Sequence, residues 1–133
     1  RDIIGCLNHW VHGWVDWNMV LDRQGGPNWF ENWCIAPVIV DPEQDEVYFT
    51  PLYDVMCHFS KFIRPGATVV GSECPDEDVM AVATANEDGS YTLVCFNQGD
   101  TPRSVHIEGL PSDVHIELDA QALQTIVLTP YDL

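Results

Sequence analysis

Hydrophobic residues in the first half of the chain repeat at the three- and four-residue spacing of one helical face in two places. In residues 2–11 the apolar positions are Ile3, Ile4, Leu7, Trp10 and Val11. In residues 51–63 they are Leu52, Met56, Phe59 and Ile63. Pro51 suits the first position of a helix, and Thr50 before it is a suitable N-cap. The pattern therefore predicts two helices, the first ended by Gly13 and the second by the sequence RPG.

Three short strands and a loop are predicted between these helices. The segment GWVDWNMV is rich in Trp and Val, and this composition favours a buried strand over a further helix. Residues 21–33 are rich in Asp, Gly, Pro and Asn, which indicates a loop. PVIVD and EVYFT then predict two strands around the turn PEQD.

After Gly66 the pattern changes to apolar stretches separated by turn residues. Six strands are predicted, in the segments TVVGSE, VMAVATAN, YTLVCFNQ, SVHIEG, VHIELD and LQTIVLT. The Asp-Gly pair in NEDGSY is favoured in hairpin turns, so neighbouring strands are expected to be antiparallel. This half of the chain predicts a β-sandwich, with a boundary between the two halves near residues 65–68.

The composition and charge of the chain limit the kinds of molecule that it is expected to bind. The chain has 133 residues, of which 46% are hydrophobic, and its net charge is −16. No apolar run approaches the ~20 residues of a membrane span, and the negative charge disfavours nucleic acid as a partner. The five cysteines are odd in number and widely scattered, which predicts free, mostly buried thiols rather than a disulfide framework.

The first half raises a packing problem, because one parallel-type strand and two helices cannot cover each other's apolar faces. The chain also opens on Arg1 and Asp2, without an initiator Met. Both features are expected of a piece of a longer chain that supplies the missing neighbours.

Three motifs follow one another along the chain: GWVDWNMVLDRQGGPNWFENW, PVIVD and CHFSKFIRPGA. Together they resemble the C-terminal part of glycoside hydrolase family 30, in its acid β-glucosidase (glucosylceramidase) branch. The resemblance implies an α+β chain that combines the last helix-strand-helix portion of a (β/α)8 barrel with an antiparallel β-sandwich side domain. Residues 1–66 would belong to the catalytic barrel and residues 67–133 to the side domain. Residues 13–19 would be the eighth barrel strand.

The same resemblance implies the chemistry of a retaining β-glycosidase, which needs two carboxyl groups about 5 to 5.5 Å apart. In the family these are glutamates at the ends of the fourth and seventh barrel strands, which would precede residue 1, so no catalytic residue is expected in this segment. Asp16 is expected to be a buried structural acid. The family's motif makes Trp17 and Asn32 hydrogen-bond donors to the sugar and Trp33 an aromatic lining residue. Trp14 and Trp29 are expected to be packing residues.

Metal and cofactor chemistry receives little support from the sequence. Cys6, His9 and His12 point in different directions around a helix, and Gly13 interrupts the pattern before a fourth ligand appears. No metal and no cofactor is therefore expected.

The partners expected from the resemblance are a β-glycoside substrate and the remainder of the parent barrel. A non-catalytic carbohydrate-binding or structural β-sandwich is the alternative function. The distribution of tryptophan argues against a lectin-like face, because all five precede residue 34 and so lie outside the predicted sandwich. Glucosylceramide, β-glucosides, β-xylosides and β-1,6-glucans all remain open as substrates.

Overall fold

The computed structural model describes residues 1–109 and 114–131, which form two compact units. One unit is Val15–Cys57, and the other combines Arg1–Trp14 with His58–Leu133. Helices and mainly antiparallel sheets are both present, which confirms the predicted α+β class. Residues 110–113 and 132–133 of the predicted side domain lie outside the described residues.

The Val15–Cys57 unit contains a three-stranded sheet in the order β1-β2-β3. Strand β1 (Val20–Asp22) runs parallel to β2 (Val38–Asp41), with Val20 opposite Val38. Strand β2 pairs antiparallel with β3 (Glu46–Phe49), which confirms the hairpin predicted around PEQD. The turn residue Asp45 adopts a positive φ of 54°, a conformation that Asp tolerates in tight turns.

Helix α2 (Pro51–Ser60) confirms the second predicted helix, although it ends at Ser60 rather than Ile63. The Thr50 hydroxyl lies 3.0 Å from the carbonyl oxygen of Ala36 and 3.2 Å from that of Pro37. Thr50 therefore joins the start of the helix to the segment before β2.

The prediction of a buried strand at residues 13–19 is wrong. These residues have no regular secondary structure, and most of them are exposed. The extended pairing begins only at Val20, where Val38 provides a hydrogen-bonding neighbour. A strand is stabilised by a continuous ladder of hydrogen bonds with adjacent strands, whereas β2 reaches this segment only at its end, where the Val38 N–H donates to the Met19 carbonyl oxygen at 3.1 Å. A composition rich in Trp and Val is therefore not sufficient for strand formation when such a ladder is missing.

In the other unit, helix α1 (Asp2–Asn8) confirms the first predicted helix but ends before Val11. Trp10 has a positive φ of 67°, which a right-handed helix cannot continue through. Ile3 and Ile4 are buried, and the Asn8 amide donates to the Ala81 carbonyl oxygen at 2.8 Å. The helix is thereby fixed against the first long strand of the sandwich.

All six strands predicted after Gly66 are confirmed. They are β4 (Thr68–Val70), β5 (Val79–Ala85), β6 (Tyr91–Asn97), β7 (Arg103–Ile107), β8 (Val114–Leu118) and β9 (Leu123–Leu128). One sheet has the order β4-β5-β6-β9 and the other pairs β7 with β8, and every pairing is antiparallel. A buried cluster containing Val79, Cys95, Ile116 and Leu118 packs the two sheets together.

All five cysteines are free. The prediction that they are mostly buried is wrong for four, which are half-buried, and correct for Cys95. Burial in the apolar cluster raises the pKa of the Cys95 thiol to about 12, and the nearby Cys74 contributes in the same direction. A thiol that stays protonated is a poor nucleophile, so Cys95 acts as a core residue.

Candidate functional site

An aromatic cleft of about 240 Å³ lies in the loop region of the Val15–Cys57 unit. It is lined by Trp17, Asn18, Gly25, Pro27, Asn28, Trp29, Phe30 and Asn32. We call this space the aromatic cleft. Its lining combines flat apolar rings with three side-chain amides and contains no acid or base. Such a surface can bind a neutral polyhydroxylated ligand but cannot itself perform acid–base chemistry.

Two of the three predicted substrate-binding residues, Trp17 and Asn32, line this cleft together. Trp17 is 79% exposed, and its backbone N–H donates to the Asp16 carboxylate at 2.8 Å. Asp16 is itself exposed, so the prediction of a buried structural acid is wrong. The cause is the missing strand, since without neighbouring strands the segment around Asp16 remains at the surface.

Trp33, the third predicted residue, is not among the residues that line the aromatic cleft. A Cβ atom added to Gly26 would lie 3.3 Å from its ring, so Trp33 covers that glycine closely. The side chain is 56% exposed. Trp33 therefore covers the base of the loop, next in sequence to Asn32.

Asp22 shapes the turn that carries the cleft. Its carboxylate accepts hydrogen bonds from the backbone N–H groups of Gln24 and Gly26, each at 2.9 Å. Its own N–H donates to the Gly26 carbonyl oxygen at 2.7 Å, and the Gly25 N–H donates back to the Asp22 carbonyl oxygen at 3.0 Å. Four hydrogen bonds thus fold residues 22–26 onto the end of β1.

Gly25 is required at the base of the loop for a steric reason. Its φ is +86°, and an added Cβ would come within 2.3 Å of the Cys34 carbonyl oxygen. Only glycine accepts this conformation and this approach at little cost. The Cys34 N–H donates to the Gly25 carbonyl oxygen at 3.4 Å, so main-chain atoms close the loop between these two residues.

Asp41 connects the same turn to the β2–β3 hairpin. The side chain is buried and accepts a hydrogen bond from the Arg23 guanidinium at 2.8 Å. It also accepts from the backbone N–H groups of Glu43 and Gln44 at 3.0 and 3.2 Å. Burial raises the pKa of Asp41, but the hydrogen bonds from Arg23, Gln44 and Glu43 outweigh burial and lower the pKa below its ordinary value.

A second cleft, of about 470 Å³, lies on the Arg23 side of the turn. Its lining residues are Asp22, Arg23, Gln24, Gly25, Cys34, Ile35, Ile39 and Tyr48. Hydrogen bonds within the protein already occupy the Arg23 guanidinium and the Tyr48 hydroxyl, which donates to Glu46. The aromatic cleft is therefore the better candidate for binding a sugar.

Several residues of the site escaped prediction from the sequence. Trp29 was expected to pack in the interior, yet it is 94% exposed and lines the aromatic cleft with Asn28 and Phe30. The organising role of Asp22 had a signal, because an Asp shortly before a Gly-Gly pair, as in DRQGG, often accepts hydrogen bonds from the backbone of its own turn. Nothing local to Asn28 distinguished it from an ordinary loop amide.

Other site chemistries find no support in the described residues. Among residues 1–109 and 114–131, no three His, Cys, Asp or Glu side chains are arranged to hold a metal ion. Neither helix of that part of the chain is long and apolar enough to cross a membrane.

Comparison with protein families assigns both halves of the chain. Residues 1–63 match the TIM-barrel domain of glycosyl hydrolase family 30, and residues 66–126 match the β-sandwich domain of the same family. The chain belongs to glycosyl hydrolase family 30. This match confirms the family that the three motifs resemble. Two relatives named as glucosylceramidases confirm the branch.

Putative glucosylceramidase 4 of Caenorhabditis elegans is 42% identical over 102 residues, which are 75% of this chain and 20% of that protein. Lysosomal acid glucosylceramidase of Mus musculus is 40% identical over 110 residues, which are 79% of this chain and 21% of that protein. The family 30 chain thus spans only a small share of the length of the curated relatives it matches.

A solved structure supports the family fold. SrfJ from Salmonella typhimurium matches with a TM-score of 0.92 and 29% identity, covering 96% of this chain and 29% of SrfJ. The backbone fold of this chain is thus shared with part of a longer protein.

Proposed function

We propose that this chain forms one wall of the glycone pocket of a retaining β-glycosidase of glucosylceramidase type, with Trp17, Asn32 and Trp33 as substrate-binding residues. The observation that carries the proposal is that Trp17 and Asn32 line one cleft together with further exposed rings. Residues 1–66 would be the part that belongs to the barrel, and residues 67–133 the side domain.

The lining residues have chemistry suited to a sugar. An indole offers a flat apolar face to the C–H groups of a pyranose and an N–H donor at its edge. The Asn32 amide can donate to one hydroxyl and accept from another. Trp33, which is next in sequence to Asn32 and 56% exposed, would offer a further ring face to the sugar beside the cleft.

Hydrolysis would follow the double-displacement route, in which one carboxylate attacks the anomeric carbon and the other protonates the leaving oxygen. Water then releases the covalent glycosyl-enzyme, and the second residue acts as the base. Both carboxyl groups would come from the part of the barrel that precedes residue 1. The absence of acids from the lining of the aromatic cleft agrees with a binding wall rather than a catalytic one.

The preferred substrate would be a β-glucoside, because relatives that are 42% and 40% identical to this chain are named glucosylceramidases. The distribution of exposed rings disfavours the alternative of a carbohydrate-binding sandwich. Among the described residues from Thr68 onward, Tyr131 is the single strongly exposed aromatic side chain, whereas four such rings belong to residues 17–33.

Hydrolysis of a fluorogenic β-glucoside tests the proposal. The 133-residue chain is compared with a longer protein that carries the same residues after a complete family 30 barrel. We expect activity only in the longer protein, and a loss of at least about tenfold in kcat/KM on Trp17→Ala or Asn32→Ala, equivalent to one lost transition-state contact.

Tyr131→Ala serves as the matched control, since it also removes an exposed ring but from the other unit. Its kcat/KM should equal that of the unmodified protein. Activity in the 133-residue chain alone would refute the assignment of both carboxyl groups to the preceding barrel. Unchanged activity in both Trp17→Ala and Asn32→Ala would refute the glycone wall.

A further inference from the structure

The Asn28 side chain has an unusual environment in the aromatic cleft. Its amide nitrogen Nδ2 is buried and has no hydrogen-bond partner among the described residues. Three other buried polar side-chain atoms share this property, on Thr84, Asn86 and Gln98, but none of these residues lines the cleft. Asn28 is thus where an unused buried donor and a ligand-sized space coincide.

An unpaired buried donor is unfavourable, because the amide loses its hydrogen bonds to water on folding and regains none. Folded proteins keep such groups rarely, and a functional ligand or an ordered water accounts for many of those that remain. The neighbouring rings of Trp29 and Phe30 are apolar and offer no strong acceptor of their own. A hydroxyl oxygen that enters the cleft beside these rings would supply the acceptor that Asn28 lacks.

We propose that Asn28 is a specificity-determining residue whose amide donates a hydrogen bond to one hydroxyl of the bound glycone. This inference rests on the proposed function, since it assigns a further contact in the same cleft. Asn28 and Asn32 lie in one loop and line one space with Trp17, so they can engage different hydroxyls of a sugar stacked on the rings. A site built to bond a hydroxyl rejects the analogue that lacks it, because the buried donor is then left unpaired.

The test is a double-mutant cycle between protein and substrate, in the longer protein with its complete barrel. Asn28→Ala and Asn28→Asp are assayed with a fluorogenic β-glucoside and with its 3-, 4- and 6-deoxy analogues. Aspartate keeps the shape of the side chain but cannot donate when ionised.

With the complete substrate, both variants should lose about tenfold to a hundredfold in kcat/KM, the range expected for a buried hydrogen bond left unmade. With one of the three deoxy analogues, the unmodified protein should show a comparable loss. The Asn28 variants should show little further loss with that same analogue, which identifies the hydroxyl that Asn28 contacts.

Gln44→Ala is the matched control, because it removes an exposed amide from the same unit. It should leave the preference among the four substrates unchanged. If Asn28→Ala does not fold, Asn28→Asp carries the cycle.

The outcomes separate this inference from the proposed function. If Trp17→Ala loses activity while the Asn28 variants keep the unmodified preference for every hydroxyl, the inference fails and the glycone wall stands. A lower melting temperature with unchanged hydroxyl preference would assign Asn28 a structural role with water as its partner, and would also overturn the inference. An unmodified longer protein that does not hydrolyse the β-glucoside would overturn both.

Discussion

At the residue scale, the Asp41 carboxylate supports the site without lining the aromatic cleft. It is buried, it pairs with Arg23 beside the glycine-rich turn, and it accepts two N–H groups from the hairpin turn. A buried charge is tolerated only when such partners compensate for its lost hydration. Asp41 therefore fixes the turn that holds Gly25 to the hairpin on which β1 rests.

We expect the stability of the Val15–Cys57 unit to fall in acid through Asp41. The pKa of Asp41 is lowered in the folded state, so the unfolded chain binds the proton more readily. The stabilisation is fully present above the unfolded pKa of about 3.9 and is lost as pH falls through the lower folded value. Melting temperature measured by Trp fluorescence against pH should show this decrease.

Asp41→Asn should lower the melting temperature at pH 7 and reduce the dependence on acid, because the amide does not titrate. Glu117→Gln, at an exposed position on β8, should keep the full dependence. An acid decrease of equal size in Asp41→Asn and in the unmodified chain would contradict the role assigned to Asp41.

The residues of the site fall into two groups. A family motif identifies some of them, and contacts between separate parts of the loop position the others. Trp17 and Asn32 could be predicted because a motif of the family carries them. Asn28 and Trp29 could not, because their positions depend on a loop closed by main-chain contacts between Gly25 and Cys34, which are nine residues apart in the sequence. The contact between Trp33 and Gly26 likewise depends on the turn around Asp22.

At the element scale, prediction succeeded where the sequence of a segment itself indicates which of its residues are buried. In the strands β5 and β6 every residue is buried or half-buried, as their largely apolar sequences indicate, and both strands occur where they were predicted. Helix α2 begins at the predicted proline. The prediction of a strand at residues 13–19 failed because its hydrogen-bonding partners are not encoded locally. Helix α1 ended earlier than predicted because His9 leaves helical geometry, with φ −115° and ψ 39°.

Asn97, the last residue of β6, joins the two sheets of the sandwich and gives a test of their packing. It is fully buried, and its amide lies 2.9 Å from the Asp119 carbonyl oxygen and 3.3 Å from that of Leu118. We expect Asn97→Ala to lower the free energy of unfolding by about 2–4 kcal/mol, because the buried side chain leaves a cavity and the carbonyl groups of Leu118 and Asp119 lose their donor. Urea denaturation followed by circular dichroism measures the change.

Ser104→Ala on β7 is the comparison for this experiment, since Ser104 is exposed on the outer face. It should change the free energy by less than about 0.5 kcal/mol. A similar small effect for Asn97→Ala would show that the two sheets do not depend on this amide.

At the scale of the whole molecule, the chain presents many apolar side chains to solvent in residues 15–35. Val15 and Phe30 are each 91% exposed, and Ile35 is 67% exposed. Extensive exposed apolar surface favours association, whereas the net charge of −16 opposes it by repulsion. We expect the chain to self-associate in analytical ultracentrifugation, and to do so more strongly as added salt screens the charge.

The double variant Val15→Glu with Ile35→Glu should shift the equilibrium toward the monomer without touching the aromatic cleft. Val127→Glu, an exposed valine in the other unit, should leave the equilibrium unchanged apart from its added charge. A single monomeric species at all salt concentrations would contradict the expectation.

The main-chain closure between Gly25 and Cys34 separates what holds the loop from what the loop presents. The base depends on Asp22, Gly25 and backbone atoms, whereas the side chains from Asn28 to Asn32 contribute little to it. Mutations among those presented residues can therefore accumulate without loosening the frame, much as antibody loops vary on a constant scaffold. Within this family, new sugar preferences could evolve, or be selected from a library, through a five-residue cassette.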